Sequence, residues 1–315
     1  MRNKFTVAAI TVVLAVGFSI LEPRFYSMSN IENLFRQTSF LLILTLAQMF
    51  PIITRGFDLS TGNLLSVVSV VTALAMNNAA GWTDSVSAVI LFGIFAGLAA
   101  GMIVGAFNGL CIAYGRISNF VVTVGMMSVC VGIASSISNG FPVLGLPDRF
   151  AEWFATANWF GIPPPVVLAA LLAIGAHILL RYTLFGRTLY ILGSNRIAAY
   201  VAGLPDRRVH FLAYLLCSAG TAVVAILLTA RTGSGEPMLG SSQLTLQSIV
   251  AAVVGGVSLN GGRGGVFECV IGALFMTTLS IGMNLIRIET NTQLLVLGVI
   301  ILAAILIDRQ RTATY

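Results

Sequence analysis

Ser85-Val-Ser-Ala-Val-Ile-Leu-Phe-Gly-Ile-Phe-Ala-Gly-Leu-Ala-Ala-Gly-Met-Ile-Val-Gly-Ala-Phe-Asn-Gly-Leu-Cys-Ile-Ala-Tyr-Gly115 contains no Asp, Glu, Lys or Arg. It is longer than the roughly 20 residues needed to cross a hydrocarbon core. Leu59 to Thr83 and Ile117 to Pro147 are equally free of charge. Over the whole chain 57% of residues are hydrophobic and 9% charged, too few charges to cover a water-soluble fold. Gly93, Gly97, Gly101 and Gly105 fall at every fourth position of the quoted tract. Such a small-residue stripe reads as a packing face between membrane helices rather than a ligand site.

Apolar runs, punctuated by Gly, Pro and charge, predict an all-α, polytopic membrane protein with about ten transmembrane helices. The expected spans are 5–21, 37–54, 59–77, 86–106, 119–138, 165–180, 210–230, 244–259, 266–286 and 292–307. The first follows Arg2 and Lys4 like a signal peptide, but no small-x-small site precedes Glu22 and Pro23, so it reads as an uncleaved anchor. Assigning alternate loops to opposite sides puts twelve Lys and Arg on the amino-terminal side and five on the other. The positive-inside rule then makes both termini cytoplasmic, which agrees with ten spans. The net charge of +6 follows from this topology. The basic residues form no continuous patch with interleaved aromatics, so nucleic acid is not an expected partner.

Cys111, Cys130, Cys217 and Cys269 sit in or beside apolar segments without metal-ligand spacing and read as small core residues. His177 and His210 stand alone at the ends of apolar runs and read as interfacial. The external stretch 139–164 carries Trp153, Phe154, Trp159 and Phe160. Those rings suit a belt helix lying on the bilayer, with docking of an external solute-binding partner as the sharper alternative.

The longest cytoplasmic segment, 181–210, holds five arginines up to Arg208. Within it, Gly193 to Pro205 reads as a short helix: Ser194 or Asn195 caps its start, Gly203 suits its end and Pro205 stops it. So short a helix is unstable alone. Its apolar side, Ile197, Tyr200, Val201 and Leu204, must rest on something, and a membrane surface and a cytoplasmic partner both fit.

A nucleotide-binding P-loop needs a lysine after its glycine-rich turn. The one lysine is Lys4, so the chain carries no such site and no catalytic centre is expected. Gly255-Gly-Val-Ser-Leu-Asn-Gly-Gly-Arg-Gly-Gly265 joins two apolar spans and reads as a tight cytoplasmic turn. Asp58 and Glu268 are the two plausible intramembrane carboxylates for an ion relay. Both have plainer readings: Asp58 pairs with Arg55 or caps the helix beginning near Ser60, and Glu268 sits at the interface near Arg263.

Four stretches carry a resemblance: Arg55-Gly-Phe-Asp-Leu-Ser-Thr-Gly62; Gly186-Arg187; Asn195-Arg-Ile-Ala-Ala-Tyr-Val-Ala-Gly203; and Gly255-Gly-Val-Ser-Leu-Asn-Gly-Gly262. In this order the chain resembles the permease subunits of bacterial ribose-type ABC importers, almost end to end. The resemblance implies a single inner-membrane permease domain over 1–315, with a coupling segment within 181–210. A separate cytoplasmic ATPase would bind ATP and Mg, an external binding protein would deliver the solute, and a second permease subunit, identical or paralogous, would complete the pair. It implies that Gly193, Ser194, Asn195, Arg196, Ile197, Ala198, Ala199, Val201 and Gly203 form the ATPase-coupling helix. Asp58, Ser60, Asn63, Ser241, Gln243 and Gln247 are the candidates for lining or shaping a path for a monosaccharide or related polar solute. Where the family often has Pro-Glu and Glu-Leu, this chain has Arg196-Ile197 and Gln243-Leu244. The rival class is a stand-alone carrier or facilitator.

Overall fold

The computed structural model describes residues 2–158 and 161–313. Among them the regular structure is helical: α1 (Arg2–Leu21), α2 (Met28–Ile53), α3 (Thr61–Ala80), α4 (Val86–Ala113), α5 (Asn119–Ile137), α6 (Asp148–Ala151), α7 (Pro164–Tyr182), α8 (Leu184–Ser194), α9 (Arg196–Val201), α10 (Asp206–Thr232), α11 (Ser242–Gly255), α12 (Val266–Leu285) and α13 (Thr290–Ala313). A helix satisfies its own backbone, which is what allows glycine-rich apolar tracts to stay ordered in lipid. Seven of these helices are long and apolar enough to cross a membrane. Phe5–Leu21, Ser242–Gly255 and Thr290–Ala304 are shorter apolar helices.

The chain divides into two compact units. One comprises Met1–Gly56, Ala169–Leu204 and Leu246–Tyr315. In it α2 is buried on all sides from Thr38 to Ile53 and packs on α12, as does α1. Phe18 stacks on Phe25 at 5.8 Å and covers Gly282. Gly272 meets the Ala251 carbonyl and Gly255 that of Glu268, so closely that no side chain fits at either position.

The other unit comprises Phe57–Leu168 and Pro205–Thr245. Its centre is α4, packed against both α3 and α10. The glycine stripe makes these contacts: a Cβ at Gly97 would meet Thr72 Oγ1, one at Gly101 would lie 2.6 Å from Ala222 Cβ, and one at Gly105 the same distance from Ser218 Cβ. The packing reading of the stripe is the correct one.

Each expected span coincides with a helix, but several boundaries move. α2 starts at Met28, not at 37, because Ser27 caps it by accepting from the Asn30 N–H. Its added turns carry Glu32 and Arg36, four apart on a helix end that can reach water. The 181–210 segment opens with α8, begun by Thr183, whose hydroxyl accepts from the Gly186 N–H at 3.2 Å. The 139–164 stretch is no simple belt helix: α6 and a π-helical turn at Glu152–Thr156 pack on α10, with Phe150 fully buried. Trp159 and Phe160 lie outside the described residues.

Candidate functional site

The coupling candidates begin one helix earlier than expected. Gly193 and Ser194 finish α8, and Asn195 is the N-cap of α9, its Oδ1 accepting from the Ala198 N–H at 3.0 Å. At the other end Gly203 is left-handed, with φ +67, while the Leu204 N–H reaches back to the Ala199 carbonyl at 3.0 Å. These bonds satisfy the open ends of a helix only six residues long.

α9 stands on a platform made from two other parts of its unit. Gly193 lies so close to the Ile53 carbonyl and the Gly262 nitrogen that a Cβ would overlap both. The Gly262 N–H donates to the Ile53 carbonyl at 2.9 Å. Arg55 completes the joint, donating from Nε to the Gly193 carbonyl at 2.7 Å and from Nη2 to that of Ser194 at 2.8 Å. A charged fork on two carbonyls is among the stronger kinds of hydrogen bond. The 255–265 stretch turns tightly as expected, with the Ser258 N–H bonded to the Arg263 carbonyl at 3.1 Å. Arg55 thus spends these donors on the backbone below α9.

The outer side of α9 is the reverse of what its composition suggests. Ala199 is fully buried, whereas Ile197, Tyr200 and Val201 are 78%, 83% and 80% exposed. Within this chain three apolar side chains that should rest on something rest on nothing.

The path candidates fall into three groups. Asp58 and Ser60 are fully buried: Asp58 Oδ1 accepts from the Ser60 N–H at 2.9 Å and from its hydroxyl, and Oδ2 accepts from Asn108 Nδ2 at 3.3 Å. Asp58 therefore holds Ser60, the residue before α3, whose own first turn has no side-chain cap. Asn63, half-buried, donates to the Met127 carbonyl at 3.3 Å. Ser241 is exposed, and its hydroxyl accepts from the Leu244 N–H at the start of α11. Gln243 and Gln247 are half-buried, and Gln247 belongs to the other compact unit.

The residues that hold this region together include several that sequence reasoning passed over. From Gly233 to Ser241 the chain is unwound and runs along α3. Its Glu236 and Gly240 N–H groups donate to Ser69 Oγ and Ser66 Oγ, both at 3.0 Å. Thr229 donates to the same Ser69 oxygen at 2.7 Å, and the Gly62 N–H donates to Thr245 Oγ1 at 2.8 Å. Non-helical backbone at membrane depth is tolerated only where protein satisfies it. α11 has 14 residues, about 21 Å of helix, so the expected eighth span is a short helix preceded by a non-helical strip. Asn108 was detectable in sequence as an amide within the charge-free tract. Ser66 and Ser69 carried no such signal, since hydroxyls on membrane helices commonly bond their own backbone.

With seven helices long and apolar enough to cross a membrane, the chain is of the class of multi-pass membrane proteins. The sequence profile of the family described as branched-chain amino acid transport system, permease component, matches residues 30–305. The chain is 32% identical over 314 residues to the ribose import permease protein of Escherichia coli strain K12, covering 99% of this chain and 94% of the relative. It is 35% identical over 302 residues to the ribose import permease protein of Bacillus subtilis strain 168, covering 96% and 91%. It is 32% identical over 309 residues to the D-allose transport system permease protein of Escherichia coli strain K12, covering 98% and 92%. No solved structure matches. The chain belongs to this family, among the ribose-type ABC importer permeases. It is a multi-pass membrane transport subunit, not an enzyme, and its family works with an ATPase and a binding protein.

Proposed function

We propose that this chain carries a monosaccharide or related small polar solute across the bacterial inner membrane by alternating access, driven by a separate ATPase that grips α9. One observation carries the reading: Ile197, Tyr200 and Val201 are exposed on a helix whose base is fixed by Arg55 and Gly262. Burying such side chains contributes roughly 1.5–3 kcal/mol each, which favours a partner groove over water. Ten spans with both termini cytoplasmic remain the favoured topology, because every expected span has a helix and the arginines divide unevenly. The partner ATPase binds the ATP and Mg, an external binding protein delivers solute, and a second permease subunit, identical or paralogous, completes a single pathway. The relatives named for ribose and D-allose support a sugar as cargo. Asp58 and Ser60, being buried, shape the path, while Ser241, Gln243 and Gln247 are better placed to touch solute.

The test is co-purification with the cognate ATPase, comparing wild type with Ile197→Asp and Tyr200→Asp. These exposed positions leave the fold alone, unlike Ala199. Loss of the ATPase from both variants, with the permease still intact, is the expected outcome. Sugar uptake by the purified chain alone in vesicles would defeat the proposal and favour a facilitator.

A further inference from the structure

The strip from Gly233 to Ser241 lies at a depth that its bonds to α3 define. The Glu236 and Gly240 N–H groups meet Ser69 and Ser66, the ninth and sixth of the 20 residues of α3. At 1.5 Å per residue these serines stand about 12 and 8 Å along a helix of about 30 Å. Met238, between the two bonds, is therefore level with the middle part of a helix long enough to cross a membrane.

The two sides of the strip are unlike. Its inner side is pressed onto α3: a Cβ at Gly235 would come within 2.4 Å of Ala73 Cβ, and one at Gly240 would overlap the Gly62 carbonyl. Its outer side carries Met238, 86% exposed, and the exposed Ser241. The N–H groups of Gly235, Glu236, Leu239 and Gly240 are all bonded. The carbonyls of Met238 and Leu239 have no hydrogen bond among the described residues. Glu236 is half-buried, and its carboxylate accepts from the Ser234 hydroxyl at 2.6 Å.

Lipid cannot face such a surface. Hydrocarbon offers nothing to unpaired carbonyls, and a carboxylate at this depth needs a wet or polar cavity beside it. The groups left unspent, two carbonyls and a carboxylate, are acceptors. They match water and the hydroxyl groups of a neutral polyol, and they repel an anion.

We propose that the outer side of Gly233–Ser241 is a wall of the aqueous path, wetted at mid-membrane and meeting the hydroxyl groups of a neutral solute, with Met238 its most accessible side chain. This rests on reading the chain as a permease for a small polar solute, but not on the ATPase at α9.

Full-length Met238→Cys, expressed with its cognate ATPase, is treated in sealed vesicles of each orientation with a membrane-impermeant cationic methanethiosulfonate. Thiols react as thiolates, which form in water and not in lipid. Wild type, whose four cysteines are buried or half-buried, sets the background. Phe95→Cys, at an exposed position of α4, stands for a lipid-facing site. Met238→Cys is expected to react from both sides of the membrane, about tenfold faster than Phe95→Cys, as for a thiol whose pKa is one unit lower. The side of access is expected to change when a non-hydrolysable ATP analogue is bound. Ser241→Cys should behave alike, and guards against a Met238→Cys chain that fails to fold. No reaction from either side would overturn the proposal by placing the strip against lipid or a second copy. Reaction from one side alone, whatever the nucleotide, would overturn it as well, since that describes a fixed crevice. Reaction from both sides with no response to nucleotide would support the path and count against the ATP-driven reading.

Discussion

Asp58 shows how a buried carboxylate is held in this chain. Two of the donors on it come from Ser60 and one from Asn108, whose own Oδ1 finds no hydrogen-bond partner among the described residues. Asp58→Ala strands the Ser60 N–H and hydroxyl, while Asn108 Nδ2 keeps its bond to Ser60 Oγ at 3.1 Å, and each stranded buried group costs about 1–3 kcal/mol. Asn108→Ala leaves Asp58 with both Ser60 bonds. Thermal unfolding in detergent should therefore rank the two, with Asp58→Ala clearly the less stable. At Arg55 the expected loss is in coupling, not folding. Arg55→Ala should lower sugar-stimulated ATP hydrolysis of the assembled transporter several-fold, and Arg55→Lys should recover only part of it, because an ammonium lacks the planar fork that meets two carbonyls. A local role for Asp58 beside Ser60 could be read directly from sequence, though its bonds go to Ser60 itself and not to the first turn of α3. The partners of Arg55 could not, because they lie 138 and 139 positions further on.

At the scale of helices, the glycine stripe and the serine pair of α3 make opposite demands. α4 needs the absence of side chains. Gly101→Ala or Gly105→Ala sets a Cβ against Ala222 or Ser218 Cβ, which no rotamer relieves, and overpacking of this kind costs about 1–3 kcal/mol. A lowered melting temperature with unchanged helical content would show it. α3 needs the presence of hydroxyls. Ser69→Ala removes the acceptor for both Glu236 N–H and Thr229, and should destabilise the protein by about 1–3 kcal/mol, whereas Ser69→Thr should be tolerated better. Period and composition made the stripe and all ten apolar helices legible. They could not reveal α8, whose start depends on a single Thr183 cap, nor the unwound strip before α11. There the apolar residues on either side continue the pattern, while the backbone bonds that decide the matter are made to a helix more than 160 residues away.

With ten spans and arginines on the inner side, green fluorescent protein fused at the carboxyl terminus should fluoresce, while alkaline phosphatase fused after Gly140 should be active. An inactive phosphatase there would reverse the topology. Two of the four stretches that carried the family resemblance, through Arg55 and Gly262, meet in one joint with Gly193 and Ser194, the two residues before Asn195. The path was less legible, because hydroxyl and amide groups that touch solute and those that merely pin backbone are the same residue types.

The joint beneath α9 has a mechanical consequence. Where Gly193, Ile53 and Gly262 meet, peptide group lies on peptide group. On the proposed coupling role, a load applied at α9 would reach the end of α2 and the 255–265 turn through this backbone contact, with the Arg55 fork bracing the same joint.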